Sequence, residues 1–351
     1  MTVHTREDLA ALPAYVPGRS IPGAIKLASN EVAAGPLPSV TKVIADAANE
    51  VNRYPDMAMV ALTERIARHV GVDPDRIAAG CGSVSVCQQL IQATCAGRED
   101  EVIFPWRSFE AYPIITQVVG ATPRPVPLTA GHGLDLDAMA AAVTGRTRMI
   151  FVCNPNNPTG SALRGDELVR FLDAVPPSVL VAVDEAYREF VTDPDVPDGL
   201  GLLDGRDNVA VLRTFSKAYG LAGLRVGYAV AAPELVAASR KVCVPFSVNA
   251  VAQAAAVASL DAADELLARC RDIAAERERV RDALLAAGYE VPPSQANFVW
   301  LPLRERTAAF NEHLLANRVV VRAFAGDGAR VTIGLPAEND AFLAAAQAFP
   351  R

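Results

Sequence analysis

The feature that most constrains the fold is a series of short apolar runs that alternate with longer amphipathic stretches. Each run has the length and the β-branched residues of one buried strand. Alternation of such strands with helices is typical of an α/β fold with a mostly parallel sheet between helices. The runs that predict this sheet are EVIF at 101, MIFVC at 149, VLVAV at 179, NVAVL at 208 and RVGYAV at 225.

The chain changes character after this central region. Because 351 residues usually exceed one compact core, two domains are expected. Residues 249–288 are patterned as helix, and the tail returns to short strands and a last helix. A boundary near Pro245 would separate a large domain, residues 30–244, from a small α+β domain, residues 245–351. Residues 1–29 are expected to form an N-terminal arm that joins the small domain.

Composition and charge disfavour several classes of function. The net charge is −7 and the 33 basic residues form no cluster, so nucleic acid and anionic membranes are poor partners. The first residues lack a signal-peptide pattern, and no stretch approaches the ~20 apolar residues of a membrane span. The six cysteines and four histidines show no metal-ligand spacing, so no metal site is expected. The sequence predicts a soluble protein of the cytoplasm.

Polar clusters directly follow three of the predicted strands. NPNNPTG begins at Asn154, DEAY begins at Asp184, and RTFSK ends at Lys217. Because ligands bind at the carboxyl ends of parallel strands, these clusters should meet in one crevice. A fourth cluster, GCGSVSV from Gly80, offers backbone N–H groups and a hydroxyl at a helix start, where Arg225 would add a cation. Together the clusters predict a ligand site with a phosphate-binding end.

Each cluster also has a purely structural explanation when it is taken alone. Asp184 could cap a helix, the prolines of NPNNPTG could form a rigid turn, and Lys217 could be a solvated loop lysine. The GLAGLR segment is too loose to be a nucleotide-binding fingerprint. All the clusters, however, fall at the ligand-binding ends of successive strands, and this coincidence favours a functional site.

Three motifs together resemble one enzyme family. NPNNPTG, DEAY and TFSKAYGLAGLRVGY are similar to motifs of fold-type I pyridoxal 5'-phosphate (PLP) aminotransferases. The branch is that of histidinol-phosphate aminotransferases and their actinobacterial aromatic-amino-acid relatives. The likeness extends from LPAYVPG, LASNE and VNRYPD near the start to ANFVW and RVTIG near the end. It implies a transaminase that uses PLP as its cofactor and works as a homodimer with shared active sites.

The resemblance implies roles around the cofactor. Lys217 corresponds to the lysine that forms a Schiff base with PLP and carries the proton, and Asp184 to the partner of the pyridinium nitrogen. Asn157 and Tyr187 correspond to the residues that bind the phenolic oxygen. The residues that match the phosphate ligands are Gly82, Ser83, Val84, Thr214, Ser216, Arg225 and, from the neighbouring subunit, Tyr54.

The resemblance also identifies residues on the substrate side. Arg330 matches the arginine that takes the substrate α-carboxylate, with Asn30 assisting. Arg322 occupies a family position near the substrate, although a salt-bridge role is the alternative. Phe109 matches the aromatic residue that stacks on the cofactor ring, and Trp106 is the alternative in the same motif. These residues supply the carboxylate anchor and the ring stack that a transaminase needs.

The expected side-chain pocket departs from the histidinol-phosphate pattern. Phe246 occupies a position where enzymes specific for that substrate tend to carry a tyrosine, and Phe109 and Phe298 also lack hydroxyls. Such rings suit a benzyl group better than a dianionic phosphate. The predicted function is therefore ping-pong amino transfer between aromatic amino acids, phenylalanine or tyrosine, and 2-oxo acids such as 2-oxoglutarate. Tyr15 and Arg322 keep histidinol-phosphate transamination, a step of histidine biosynthesis, as the alternative.

Two other kinds of protein share the scaffold. A PLP-dependent decarboxylase of an amino-acid phosphate would need extra cations near the substrate phosphate. A non-enzymatic PLP-binding regulator usually carries an added DNA-binding region, for which the N-terminus is too short. A lineage that had lost catalysis would be expected to have changed Lys217 or Asp184, and both are present.

Overall fold

A computed structural model of the chain describes residues 3–10, 12 and 21–350, so Tyr15 and most of LPAYVPG lie outside the described residues. The strands are β1 Ile25–Leu27, β2 Ile77–Gly80, β3 Glu101–Trp106, β4 Thr122–Pro127, β5 Thr147–Cys153, β6 Leu180–Asp184, β7 Val209–Thr214, β8 Gly227–Val230, β9 Phe298–Leu301, β10 Val319–Phe324 and β11 Gly328–Thr332. The helices are α1 Pro38–Ala47, α2 Val60–Val70, α3 Ser83–Thr94, α4 Ala111–Val119, α5 Leu136–Ala141, α6 Gly165–Ala174, α7 Pro233–Val242, α8 Ala250–Asp261, α9 Ala263–Ala286, α10 Thr307–Ala316 and α11 Pro336–Gln347.

The predicted central strands form the larger of two sheets. Its strand order is β2-β8-β7-β6-β5-β3-β4, and the neighbours from β7 to β4 are parallel. Alternate residues of β6 belong to two separate hydrophobic cores, with Val181 and Val183 in one and Leu180 and Ala182 in the other. The sheet is therefore buried on both faces at its centre, which is why its central strands are largely apolar. The predicted α/β fold with a mostly parallel sheet is confirmed.

Strand β8 runs against the direction of its neighbours. It pairs antiparallel with both β7 and β2, although the sequence alone grouped it with the parallel strands. Thr214 at the end of β7 pairs with Gly227 at the start of β8, so residues 215–226 form the connection between them. Because of this reversal, the start of β8 lies at the same edge as the carboxyl ends of the parallel strands. Lys217 and Arg225 are therefore both placed at that edge.

The outermost strand of this sheet has an unusual composition. β4, with the sequence TPRPVP, pairs with β3 and ends the strand order. Proline has no backbone N–H and is tolerated in a strand at the edge of a sheet. No strand is predicted here from the sequence, since prolines weaken the strand pattern.

The smaller sheet has the order β1-β10-β11-β9. β1 pairs parallel with β10, so a segment near the start of the chain joins the C-terminal region. The core of this sheet includes Leu27 from β1 and Val321 from β10, which pack with Phe310 and Phe342 from two helices. The residues that follow β1 are thereby held beside the strands β10 and β11.

Helices α8 and α9 connect the two cores. α8 packs against α1 and α2 beside the larger sheet. In α9, Leu266 and Cys270 belong to a core of the larger sheet, whereas Val280 and Leu284 belong to that of the smaller one. The chain therefore passes from the core of the larger sheet to that of the smaller sheet within α9, beyond Pro245. The division into domains stays a prediction. α9 has 24 residues, but neither it nor another described helix combines the length and apolarity that crossing a membrane requires.

Candidate active site

The carboxyl edge of the larger sheet borders a cavity of about 420 Å³. All four polar clusters contribute to it, together with residues of β10 and β11 and the segment after β1. A concave site of this size with converging polar groups is typical of a small-molecule site. The predicted site residues that line it are Asn30, Ser83, Val84, Phe109, Asn157, Asp184, Tyr187, Thr214, Ser216, Lys217, Arg225, Arg322 and Arg330.

Lys217 lies three residues beyond the end of β7 and lines the cavity. Its Nζ donates a 3.1 Å hydrogen bond to the backbone oxygen of Ser29. Burial lowers the pKa of the Lys217 amine to about 7. The positive charges of Arg330 and Arg225 act in the same direction, and the carboxylate of Glu31 opposes them. A large fraction of this amine is therefore neutral near pH 7, and the neutral form is the one that acts as nucleophile or base.

Asp184 is the last residue of β6 and is almost fully buried. The Tyr112 hydroxyl donates a 2.6 Å hydrogen bond to its Oδ2. Oδ1 is also buried, and it has no hydrogen-bond partner among the described residues. Burial raises the pKa of Asp184, and the hydrogen bond from Tyr112 opposes this effect. Because a buried acceptor without a partner is costly, this carboxylate fits a ligand that brings an N–H donor into the cavity.

Arg225 lines the end of the cavity next to α3, and Gly82, which directly precedes α3, packs against Arg225 without lining the cavity. Gly82 has a φ of +79°, and a Cβ at this position would lie 2.4 Å from Arg225 Nη2. Arg225 Nη1 donates a 3.1 Å hydrogen bond to Ser216 Oγ, and the Ser216 N–H donates to Thr214 Oγ1 at 3.1 Å. α3 begins at Ser83, and the positive end of its dipole adds to the charge of the guanidinium. A helix start, a guanidinium and two hydroxyls together suit a phosphate group.

Arg330 brings a buried guanidinium from the smaller sheet to the cavity. Its Nη1 donates to Asn157 Oδ1 at 2.5 Å, and its Nη2 donates to the Ala28 backbone oxygen at 2.6 Å. Asn30 Nδ2 donates a 2.9 Å hydrogen bond to the Tyr187 hydroxyl, and burial raises the pKa of that hydroxyl. These bonds hold residues next to both sheets in one arrangement. The arrangement places a cation where it can bind a carboxylate.

Phe109 is the one of the two candidate stacking residues that lines the cavity. Its ring packs edge-on against Tyr112, with 5.5 Å between the ring centroids. Trp106 does not line the cavity and packs instead against Arg107, whose Cζ lies 4.7 Å from the indole centroid. The geometry therefore favours Phe109 over Trp106 as the residue that stacks on a bound ring.

Three other predicted aromatic residues do not line this cavity. Tyr54 and Phe246 are 84% and 42% exposed, and their rings pack on each other with 4.7 Å between centroids. Phe246 lines a separate cavity of about 200 Å³. Phe298 is fully buried, and its ring packs edge-on against Tyr187 at a centroid distance of 5.1 Å. The expectation that Phe109, Phe246 and Phe298 share one pocket is therefore not met within a single chain.

Two further residues, Tyr112 and Glu110, matter for this site and are not predicted from the sequence. Tyr112 donates a hydrogen bond to Asp184, and its aromatic ring three residues after Phe109, in the sequence FEAY at 109–112, is the signal that could have identified it. Glu110, in the same motif, lines the cavity and accepts a 2.6 Å hydrogen bond from Arg322 Nη2. No sequence signal marks this pair, because its members lie 212 residues apart.

Comparisons with known proteins are consistent with this geometry. The family described as aminotransferase class I and II matches residues 22–346. The aromatic amino acid aminotransferase of Rhodococcus jostii (strain RHA1) is 65% identical over 344 residues, which cover 98% of this chain and 95% of that protein. The enzyme of the same name from Mycolicibacterium smegmatis is 60% identical over 347 residues, covering 99% and 96%. The crystal structure of histidinol-phosphate aminotransferase from Sinorhizobium meliloti in complex with pyridoxal-5'-phosphate is 28% identical, with a TM-score of 0.89 and coverage of 99% and 97%.

Proposed function

Because the chain belongs to the class I and II aminotransferases and is therefore an aminotransferase, we propose that it transfers amino groups between aromatic amino acids and 2-oxo acids, with PLP as its cofactor. Relatives that are 65% and 60% identical over nearly the whole chain carry the name aromatic amino acid aminotransferase. The observation that best supports an aromatic substrate is the composition of the cavity wall, where the Phe109 ring has no hydroxyl and Glu110 contributes a carboxylate.

The polar groups of the cavity fit PLP at both of its ends. The partnerless Oδ1 of Asp184 matches the protonated nitrogen of a pyridine ring. At the other end, Arg225 and the start of α3 match the phosphate. Between them, Asn157 and Tyr187 would bind the phenolic oxygen. The remaining residues that would hold the cofactor are Gly82, Ser83, Val84, Thr214 and Ser216 at the phosphate and Phe109 against the ring.

When it is bound, PLP supplies an aldehyde that condenses with amines and a ring that withdraws electrons from the substrate Cα. Lys217 is the residue of this chain that would hold the aldehyde carbon of PLP. Once the substrate amine has displaced it, the freed Nζ would take the proton from the substrate Cα and return it. Its pKa, lowered to about 7, leaves a large fraction of the free amine neutral near pH 7. Arg330 would bind the substrate α-carboxylate, with Asn30 holding the Tyr187 hydroxyl in place. The two substrates share this anchor, so they must react in turn.

The environment of the substrate side chain supports an aromatic ring over a phosphate. Burying a benzyl group contributes roughly 2 to 3 kcal/mol. A phosphate dianion would instead meet the carboxylate of Glu110, which already holds Arg322 at 2.6 Å. Like charges in a partly buried site repel each other, so the carboxylate of Glu110 weakens the binding of a dianionic phosphate relative to that of a neutral ring.

A homodimer with shared sites is part of the same proposal. Tyr54 and Phe246 are exposed and pack on each other, and the exposed Met57 and Val244 line the same small cavity as Phe246, a pattern that marks an interaction surface. In a symmetric dimer this surface would place Tyr54 at the phosphate end of the partner's cavity. The other exposed apolar residues near Tyr54 and Phe246 in the sequence are Val51, Met57, Val60 and Val244.

Location in the cytoplasm also stays a proposal. So does the division of the chain into an N-terminal arm, a large domain of residues 30–244 and a small domain of residues 245–351.

The test is the ratio of kcat/KM for phenylalanine and for histidinol phosphate, each with 2-oxoglutarate as acceptor. We expect the purified enzyme to prefer phenylalanine. Phe246 packs on Tyr54, so in the proposed dimer it would also face the partner's cavity, and Phe246→Tyr, which adds a hydroxyl there, should move the ratio toward histidinol phosphate. A parent enzyme that prefers histidinol phosphate by tenfold or more would overturn the aromatic assignment.

A further inference from the structure

The ion pair between Arg322 and Glu110 lies inside the proposed substrate cavity. Arg322 Nη2 and Glu110 Oε2 are 2.6 Å apart, and their side chains are only 15% and 29% exposed. Arg322 belongs to β10 of the smaller sheet, whereas Glu110 directly precedes α4 beside the larger sheet. Both residues line the cavity itself. The pair is therefore in a position to meet a substrate side chain.

Three guanidinium groups surround the ring of Phe324 at this end of the cavity. The Cζ atoms of Arg107 and Arg322 each lie 5.5 Å from the ring centroid, and that of Arg330 lies 6.0 Å away. Asp327 accepts a 2.7 Å hydrogen bond from Arg107, and Glu110 holds Arg322. Arg330 is the cation proposed for the α-carboxylate. Glu110 is thus the carboxylate that balances Arg322 when the substrate side chain brings no charge.

An aminotransferase of the proposed function must accept two side chains of different charge in one cavity. The aromatic substrate carries a neutral ring, whereas the 2-oxoglutarate and glutamate pair carries a second carboxylate. A partly buried arginine without a partner is costly beside a neutral ring, and a partly buried glutamate is costly beside a second carboxylate. An ion pair between Arg322 and Glu110 that can separate would avoid both costs, since each charge keeps a partner with the neutral ring and Arg322 is released for a second carboxylate.

We propose that Glu110 is a specificity-determining residue, an internal carboxylate that holds Arg322 while an aromatic side chain fills the cavity and yields Arg322 to the second carboxylate of a dicarboxylic substrate. This inference rests on the proposed function. Glu110 competes with the dicarboxylate for one cation, so it weakens binding of that substrate and keeps the cavity suited to a ring. The balance between the two substrates is set by this competition.

The test is equilibrium binding of two unreactive ligands to the PLP-loaded enzyme by titration calorimetry. Glutarate stands in for the dicarboxylic substrate, and 3-phenylpropionate stands in for the aromatic one. Glu110→Gln keeps the shape of the side chain and removes its charge. This variant should bind glutarate roughly tenfold more tightly, the size of one partly buried charge interaction, and 3-phenylpropionate no more tightly than the parent does.

Three further variants isolate the cause. Glu110→Asp keeps the charge and should stay close to the parent in the ratio of the two affinities. Asp327→Asn removes the carboxylate of the neighbouring pair, which does not line the cavity, and should leave the ratio unchanged. In an Arg322→Gln background, Glu110→Gln should no longer tighten glutarate binding, because the cation for which the two carboxylates compete is gone.

Unchanged or weaker glutarate binding in Glu110→Gln would overturn the inference, and so would an equal gain with Arg322→Gln in place. The binding measurements do not depend on turnover. Failure of the parent to transaminate phenylalanine would therefore count against the proposed function, and failure of the glutarate response would count against the role of Glu110.

Discussion

The Tyr112 hydroxyl lies 2.6 Å from Asp184 Oδ2 and donates a hydrogen bond to it. Tyr112 is fully buried, and its ring stacks on that of Phe151 with 4.3 Å between the centroids. A tightly packed side chain therefore fixes the orientation of the carboxylate. Oδ1 is the oxygen that remains for a ligand, so the direction of the negative charge is set before a ligand arrives.

Asp184→Asn is expected to leave a folded protein that still binds PLP, while kcat falls at least about 10³-fold because the ring nitrogen loses its negative partner. Tyr112→Phe keeps the carboxylate and removes one hydrogen bond to a charged group, so a loss of roughly tenfold is expected. Single-turnover kinetics, normalised to PLP content by absorbance, measure both effects. An Asp184→Asn rate within tenfold of the parent would mean that this residue does not serve the cofactor ring.

Lys217 should be the residue to which PLP becomes covalently attached. Borohydride treatment of the yellow enzyme followed by peptide mass spectrometry should find the reduced adduct on Lys217. Lys217→Ala should still bind PLP through the phosphate end of the cavity but lose turnover. Lys241→Ala, which removes a lysine in α7 away from the cavity, is the matched control and should behave as the parent does. Near-full transamination by Lys217→Ala would contradict the assignment.

The reactivity of Lys217 in the PLP-free protein should titrate near pH 7. Burial and the two arginines lower the pKa of this amine to about 7, so labelling by an acylating reagent should rise through that pH. Arg330→Gln removes one of the positive charges that depress the pKa, so its midpoint should move to higher pH. The measurement is the yield of labelled Lys217 peptide against pH. A parent midpoint near the ordinary lysine value of about 10.4 would disprove the expectation.

The same pKa shift has a consequence for stability. Between about 7 and about 10.4 the unfolded chain holds a proton on Lys217 that the folded chain has lost, so this residue makes the free energy of unfolding rise with pH. Its contribution is least favourable below pH 7 and recovers above the unfolded pKa. Lys217→Met should flatten this part of the pH profile in urea unfolding of the PLP-free protein. Parallel profiles for the parent and the variant would contradict the lowered pKa.

Tyr54 is expected to act across the subunit boundary. Mixing Lys217→Ala chains with Tyr54→Ala chains should regenerate activity, because each mixed dimer would hold one site with both residues intact. Lys217→Ala mixed with Asp184→Asn is the control, since both residues line the cavity of one chain and no mixed site would be whole. If the first mixture stays as inactive as the control, Tyr54 does not complete a partner's site.

The sequence was sufficient to predict which polar side chains converge in the cavity, but not which aromatic side chains line it. Asp184 and Lys217 could be placed together because the ends of adjacent parallel strands converge at one edge. Phe246 and Phe298 were grouped with Phe109 by chemistry alone, and chemistry does not determine which surface of the fold a side chain occupies. Their positions depend on contacts between distant segments, such as the packing of Phe246 on Tyr54.

The same limit explains the other differences. β4 carries prolines that weaken any strand prediction, and only its place at the edge of the sheet makes them tolerable. Glu110 and Arg322 meet across two sheets, so neither their pairing nor its place in the cavity follows from local pattern. Residues whose position follows from the direction of a strand, such as Asp184 and Lys217, could be predicted. Residues whose position depends on contacts between distant segments, such as Glu110 and Arg322, could not.

Because β8 runs antiparallel to β7, Lys217 and Arg225 lie on one short connection, residues 215–226, whose two ends are held together by strand pairing. Thr214 pairs with Gly227, and the Phe215 N–H donates a 3.1 Å hydrogen bond to the Val226 oxygen. The distance between the Lys217 amine and the Arg225 guanidinium is therefore fixed, and it suits a ligand of one length. An inserted or deleted residue in this connection would change that distance. Because Phe215, Leu221 and Val226 of this connection are buried in a core of the larger sheet, a change of its length would affect packing as well as ligand binding.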